Sequence, residues 1–141
     1  MIVLDTDVIS EPWTAEPDPK VVAWFDAHMV ETLYLSTITV AALRFGSATM
    51  PDGKRRRINQ ERLEREVLPA VAGRILSFDL GASQAYADLM ARARAAGRAI
   101  GRADGYIAAT AAAHGMMVAT RDIGPFEAAG LTVIDPWNEM P

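Results

Sequence analysis

Five short apolar runs are the most regular feature of the hydrophobic pattern along this chain. They cover residues 2–4, 33–35, 75–78, 117–119 and 131–134. Most of these runs contain no polar residue, which is typical of strands in a parallel sheet that is covered on both faces. The pattern therefore predicts five buried β-strands.

Longer segments with a helical spacing of apolar residues lie between these runs. Asp18 and Pro19 form an N-cap and first-turn pair that opens one helix, and Thr37 and Thr39 are alternative N-caps of another. Pro69 is expected to kink or end the third helix. The predicted helices cover residues 18–29, 37–46, 54–71, 83–96 and 104–114. This alternation predicts an α/β domain, with a mainly parallel sheet of about five strands flanked by helices on both faces.

Composition narrows the class of protein further. The 141 residues are 50% hydrophobic, so we expect residues 1–141 to form one domain with its own core. The absence of cysteine excludes disulfides and thiolate metal sites, and it fits a cytoplasmic location. We see no signal peptide, and the apolar stretch at 106–119 is too short and too weak to span a membrane. A net charge of −4 means that nucleic-acid binding would require local basic patches.

Three aspartates are predicted to meet at one edge of the sheet. Asp5 follows the first strand, Asp122 lies just past the fourth, and Asp104 lies near the start of the helix that leads into the fourth. Ligands of open α/β sheets collect beyond the carboxyl ends of the strands. Clustered carboxylates repel each other unless a cation neutralises them, and hard oxygen ligands suit Mg²⁺ or Mn²⁺. Taken singly, however, each aspartate also fits a turn, an N-cap or a surface loop.

Four motifs in order give the chain a family resemblance: DTDVISE, STITVAALRFG, RADGYIAATA and VATRD. Together they resemble the PIN domain and, more narrowly, the VapC and FitB-like toxins of bacterial type II toxin–antitoxin pairs. The resemblance covers essentially the whole chain and implies a PIN-like fold with Mg²⁺- or Mn²⁺-dependent ribonuclease activity. It also implies an RNA substrate, a cognate antitoxin that inserts a helix near the site, and toxin homodimers within a larger assembly.

The same motifs imply roles for individual residues. Asp5, Asp104 and Asp122 match the catalytic, metal-binding acids of the family, and Thr6 and Thr120 match polar neighbours that orient the site. Asp7 stands where the family more often has Asn or Ser. It would either approach the metal through water or cap a short helix that begins near Val8.

One position departs from the family pattern. Members usually read Ala-Glu-Leu in the middle motif, whereas this chain reads Ala41-Ala42-Leu43. Ala42 therefore stands where the site glutamate is expected, and we predict weak or undetectable cleavage. Our hypothesis is an engineered inactivating substitution, and natural decay of the site is the alternative. By itself, Ala42 is simply a good helix former.

Two groups of basic residues are candidates for RNA contacts. Lys54–Arg57 is the densest run, and Arg92, Arg94, Arg98 and Arg102 form a second set that leads into Asp104. Either group could instead be a solvated helix face, with the first run paired to nearby glutamates. The second set is closer in sequence to the acids, so we predict RNA binding by Arg98 and Arg102.

Two other enzyme classes share part of the opening motif. Haloacid-dehalogenase phosphatases and receiver domains also place acids after a first strand, but both need a lysine at the end of a later strand. The chain has only Lys20 and Lys54, and neither follows a strand in the required place. A catalytically degenerate PIN domain that only binds protein or RNA stays open, because Ala42 replaces the expected glutamate.

Overall fold

The sheet has the predicted class and all five predicted strands. A computed structural model describes residues 1–138. Its strands are β1 Ile2–Leu4, β2 Leu33–Ser36, β3 Ile75–Leu76, β4 Met117–Ala119 and β5 Val133–Ile134. They form one sheet in the order β3-β2-β1-β4-β5, and every neighbouring pair is parallel. The first strand of the chain is thus the centre of the sheet.

Helices connect the strands as the parallel arrangement requires. They are α1 Thr6–Ser10, α2 Pro19–Asp26, α3 Thr37–Ala48, α4 Lys54–Glu61, α5 Leu68–Ala70, α6 Leu80–Ala95, α7 Arg102–Ala113 and α8 Ile123–Ala128. A π-helical turn at Arg62–Val67 joins α4 to α5, and this helical path ends directly after Pro69 as predicted. Short 3₁₀ turns occupy Glu11–Trp13 and Val30–Thr32. None of the helices in residues 1–138 is long and apolar enough to cross a membrane.

The alternation of side chains along β1 explains why helices cover both faces of the sheet. Ile2 and Leu4 pack into a core with residues of α1, α2 and α3, whereas Val3 packs into a second core with residues of α6, α7 and α8. Successive strand residues point to opposite faces, so an uninterrupted apolar strand needs a helical layer on each side. The chain therefore forms a three-layer α/β/α arrangement.

The structure confirms one predicted helix start and corrects another. Asp18 caps α2 by accepting a hydrogen bond from the backbone N–H of Lys20 at 2.9 Å. In α3 the cap is Ser36, whose hydroxyl oxygen accepts the Thr39 N–H at 3.1 Å, and neither Thr37 nor Thr39 has this role. An N-cap needs non-helical backbone angles, and Ser36 still has the extended angles of β2.

Close packing between α6 and α7 holds the start of α7 in place. A Cβ atom built on Gly105 would lie 2.9 Å from Met90 Sδ and 3.1 Å from Tyr86 Cε2. Tyr86 also stacks beside Tyr106, with ring centroids 4.9 Å apart. Only glycine allows this approach of the two helices. The contact at Gly105 fixes the position of α7 one residue after Asp104.

Candidate metal centre

The centre of the sheet brings the first and fourth strands together at one edge. Because β1 and β4 are parallel neighbours, their carboxyl ends lie side by side. Asp5 follows β1, and its backbone N–H donates a hydrogen bond to the Ala119 carbonyl of β4 at 2.9 Å. Thr120 follows β4 directly. Residues more than a hundred positions apart in the chain are therefore adjacent here.

Asp5 is held in one orientation by two hydrogen bonds. Its Oδ1 accepts the backbone N–H of Thr6 at 2.8 Å, which makes Asp5 the N-cap of α1, and its Oδ2 accepts the Thr120 hydroxyl at 2.8 Å. The residue is 8% exposed. Burial raises the pKa of Asp5, its two hydrogen bonds lower it, and the negative charge of Asp122 raises it further. Each carboxylate oxygen can still offer a second lone pair to a cation.

Thr120 connects two of the predicted acids. Its side chain is fully buried, and its hydroxyl oxygen accepts the backbone N–H of Asp122 at 3.2 Å while donating to Asp5. The hydroxyl thus fills both its donor and acceptor functions inside the site. Thr6 contributes through its backbone N–H to the same carboxylate.

Asp104 and Asp122 complete the acidic group. Asp104 lies in the first turn of α7, whose N-cap is Gly101, so capping is not its role. Burial raises the pKa of Asp104, and the negative charges of Asp5 and Asp122 raise it further. Asp122 is at the N-cap position of α8, but its side chain makes no capping hydrogen bond. The three predicted acids are therefore close enough for their charges to interact.

Asp7 is a fourth acid in this region. It does not cap a helix, which was one of its two predicted roles. It lies within the first turn of α1, which Asp5 caps. Its Oδ2 accepts the Arg121 backbone N–H at 3.3 Å, while its Oδ1 is buried with no hydrogen-bond partner among residues 1–138. Burial and the charge of Asp5 raise the pKa of Asp7 to about 6. A buried carboxylate oxygen without a partner is a natural position for a cation or water.

Sequence reasoning missed the contribution of Arg121. Its backbone N–H binds Asp7, and its guanidinium lies 5.0 Å from the ring centroid of the buried Trp137. A cation–π contact of this kind holds the Arg121 side chain against Trp137. A backbone donor has no sequence signal, since every residue except proline carries one.

Ala42 is exposed on α3, and this helix packs against both α1 and α7. These two helices carry Asp7 and Asp104 near their starts. Position 42 thus lies on a helix adjoining the acidic group, and it contributes only a methyl group there.

The donor set fits a divalent cation that keeps much of its water shell. Its atoms are carboxylate oxygens, which Mg²⁺ and Mn²⁺ prefer, and their mutual repulsion would be relieved by positive charge. No group of three or more His, Asp or Glu side chains within residues 1–138 is arranged to hold a metal ion on its own. Mg²⁺ commonly uses only one or two protein carboxylates. Asp5 with Asp104 or Asp122 would meet that requirement.

Comparison with known proteins identifies the family of the chain. The sequence matches the PIN domain family over residues 2–131. It is 72% identical over 138 residues to the VapC ribonuclease Y4jK of Sinorhizobium fredii, covering 98% of this chain and 99% of that protein. It is 50% identical over 139 residues to the toxin FitB of Neisseria gonorrhoeae, covering 99% and 100% respectively.

A solved structure supports the same assignment at the level of the fold. The FitAB structure bound to an IR36 DNA fragment contains a chain that matches with a TM-score of 0.96 at 49% identity, over 100% of this chain and 99% of that one. The two chains therefore share one fold over their whole length. The chain therefore belongs to the PIN domain family and, within it, to the VapC and FitB-like toxins.

Proposed function

We propose that this chain is the toxin of a type II toxin–antitoxin pair and a Mg²⁺- or Mn²⁺-dependent ribonuclease by descent, disarmed by Ala42. The observation that carries the proposal is the meeting of Asp5, Asp104 and Asp122 at one sheet edge, where Thr120 joins Asp5 to Asp122 and the charges of both act on Asp104. The ribonuclease named among its relatives supports RNA as the substrate. An RNA substrate also favours the predicted cytoplasmic location.

Each site residue has a defined task in this proposal. Asp5 and Asp104 would hold the ion, Asp122 would complete the group directly or through a water, and Thr120 keeps the Asp5 carboxylate turned toward it. When bound, the ion supplies positive charge against the phosphodiester and makes water a better nucleophile. Thr6 supports Asp5 through its backbone N–H, and Asp7 adds negative charge next to Asp5.

Ala42 limits this chemistry because the site lacks one oxygen ligand that the family pattern supplies. We propose that the alanine is an engineered change, with natural decay as the alternative. Sequencing the native gene distinguishes them, since a codon other than glutamate at this position would exclude engineering.

Cleavage of RNA by the Ala42→Glu variant tests the function. We expect the variant to cut structured RNA with Mg²⁺ or Mn²⁺, to stop on addition of EDTA, and to exceed the parent chain by at least about 100-fold, the range seen when a single catalytic group is restored. The Ala42→Gln variant is the matched control, because it has the same length without the charge. Uncut RNA with Ala42→Glu and excess Mn²⁺ would contradict the nuclease assignment.

A non-catalytic PIN domain is the second candidate, and Ala42 is the observation that favours it. Such a module would bind protein or RNA without cleavage. Calorimetric titration with Mn²⁺ separates the two. Weak binding by the parent and tighter binding by Ala42→Glu support the nuclease, whereas no binding by either supports the module.

Partners follow from the same comparison. We propose a cognate antitoxin, because the similar chain is seen in the FitAB structure, and a homodimer within a larger assembly, as the family resemblance implies. Phe45 on α3 is 70% exposed, which is unusual for a large apolar side chain and fits an interface. Sedimentation of the chain alone tests the homodimer, and Phe45→Ser is expected to shift it to the monomer.

A further inference from the structure

The junction between α6 and α7 is the most positive exposed segment beside the acidic site. It carries Arg92, Arg94, Arg98 and Arg102, and no Asp or Glu occurs between Asp88 and Asp104. All four arginines are exposed. In a chain with a net charge of −4, this segment concentrates positive charge against the overall balance. Local charge of this kind attracts an anionic partner.

These arginines keep their charge available. None of the four side chains forms a hydrogen bond or an ion pair with residues 1–138, where the ion pair found joins Arg44 to Glu64. An arginine that serves only a solvated helix face commonly pairs with an acid three or four positions away. Such pairing is absent at this junction within the described residues, so an external anion would meet unneutralised guanidinium groups.

The junction is also concave. A surface cavity of about 990 Å³ is lined by Arg94, Arg98 and Ile100 together with alanines and Gly97. Gly97 has a φ of 71° and ends α6, and the Arg98 N–H returns to the Ala93 carbonyl at 2.8 Å. This hydrogen-bonded helix end fixes the loop. The small residues leave room for a chain to lie close to the backbone.

The chain leads directly from this concave surface into the acidic site. Gly101, the N-cap of α7, follows directly after Ile100, and a Cβ built on it would lie 3.8 Å from Asp104 Oδ2. Arg102 is the first residue of α7. Positive charge, the concave surface and a proposed metal ligand therefore follow one another along residues 94–104 of the chain.

We propose that Arg94, Arg98 and Arg102 bind the phosphate backbone of single-stranded RNA and direct it to Asp104. This inference rests on the ribonuclease function proposed above and identifies its substrate-binding surface. Guanidinium groups bind phosphate oxygens in a bidentate manner. An RNA whose phosphates are bound by these arginines would have its next phosphodiester beside the acids. An acidic protein segment could bind the arginines whether or not Asp104 followed them, so their position directly before Asp104 favours RNA.

RNA binding by the chain as it exists tests the surface, because Ala42 suppresses cleavage during the measurement. The probe is a fluorescein-labelled single-stranded RNA of twelve nucleotides, followed by anisotropy at several salt concentrations. For R94Q/R98Q we expect at least tenfold weaker binding. The slope of log K against log[salt] should be smaller in magnitude by about 1.4, because two phosphate contacts on a single strand are lost. The matched control is R55Q/R56Q on α4, and it should bind within twofold of the parent.

Three results would overturn the inference. The first is an unchanged RNA affinity of R94Q/R98Q, and the second is an equal loss of RNA affinity in R55Q/R56Q. The third is that R94Q/R98Q loses affinity for a labelled polyglutamate peptide but not for RNA, which would indicate an acidic protein partner. Thermal melting of both variants confirms folding. All the exchanged side chains are exposed in the structure, except Arg56, which is half-buried.

Cleavage in the Ala42→Glu background separates this inference from the function on which it rests. There, R94Q/R98Q should raise KM at least tenfold with little change in kcat. Cleavage with an unchanged KM refutes the arginine surface and leaves the nuclease intact. Arginine-dependent RNA binding without any cleavage by Ala42→Glu refutes the nuclease and leaves an RNA-binding surface.

Discussion

The Thr120 hydroxyl donates a buried hydrogen bond to Asp5 Oδ2 at 2.8 Å, across 115 positions of the chain. The same oxygen accepts the Asp122 backbone N–H. One side chain thus orients one acid and fixes the backbone that carries another. Groups that orient metal ligands commonly affect metal affinity nearly as strongly as the ligands do.

Replacing Thr120 by valine should therefore damage both stability and metal binding. The change removes a donor and an acceptor in a buried place, and we expect a loss of about 1–3 kcal/mol in the free energy of unfolding. In the Ala42→Glu background we expect Mn²⁺ affinity to fall about 10- to 100-fold. Urea denaturation and calorimetry measure the two effects.

Thr110 supplies the matched control for this variant. It is equally buried, but its hydroxyl donates only to the Tyr106 carbonyl of its own helix at 2.8 Å. Thr110→Val should leave Mn²⁺ affinity unchanged, and Thr120→Ser should keep most of it. Equal loss of affinity in the two valine variants would show that Thr120 has no specific role in the site.

Introducing a glutamate at position 42 should make stability depend on the metal. A ligand that binds only the folded state raises the free energy of unfolding by RT ln(1 + [L]/Kd), about 1.4 kcal/mol for each tenfold tighter Kd at saturating metal. We expect Mn²⁺ to raise the Tm of Ala42→Glu clearly above its effect on the parent. Without metal we expect Ala42→Glu to have a lower Tm than the parent, because an added carboxylate increases repulsion among the acids. Equal shifts by Mn²⁺ in both chains would contradict a ligand role for position 42.

Asp7 should make the metal-free protein less stable as pH rises. Its pKa is raised to about 6 in the folded state from an ordinary value of 3.8, so the folded state holds its proton more tightly than the unfolded one. Its contribution to stability is complete below pH 3.8 and is lost as pH rises through about 6. Asp7→Asn should therefore gain in Tm over the parent between pH 4 and 7, with EDTA present. A Tm difference that stays constant over this range would show that Asp7 is not perturbed.

Two glycines in helices should respond to alanine in opposite directions. Gly46 in α3 has nothing within 4 Å of a built Cβ, and Gly46→Ala should stabilise the fold by about 0.5–1 kcal/mol. Gly105 faces Met90 and Tyr86, and overpacking there should outweigh the same gain and cost about 1 kcal/mol net. Chemical denaturation of both variants provides the comparison. Similar stabilisation by both would mean that α6 and α7 separate easily.

The strands could be predicted because their signal is local and strong. Each apolar run needs burial on both faces, and only a covered parallel sheet provides it. The meeting of Asp5, Asp104 and Asp122 followed from the same topology, because parallel strands end at a common edge. Helix starts were less certain in sequences such as STIT, where several hydroxyl residues are adjacent. The backbone angles of Ser36 decided that case, and these depend on where β2 ends.

The hydrogen bonds within the site depend on tertiary structure and leave no pattern in the sequence. Thr120 bridges two acids, and Arg121 acts through its backbone, only because β1 and β4 are neighbours. The sequence assigns Asp5 to the metal site by its strand-end position and its motif, but for Asp7 it leaves open an approach to the metal through water or a helix cap. The structure distinguishes them by their partners, since both oxygens of Asp5 are bonded while one oxygen of Asp7 is not.

The central position of β1 has a consequence for synthesis of the protein. The strand made first receives β4 as a neighbour only after residue 117 has been translated, so the Asp5–Thr120 contact forms late. A nascent chain that stops before residue 120 has no assembled acidic group, however well its early helices fold. For a nuclease directed at RNA, the site would thus not assemble until at least residue 122 has left the ribosome.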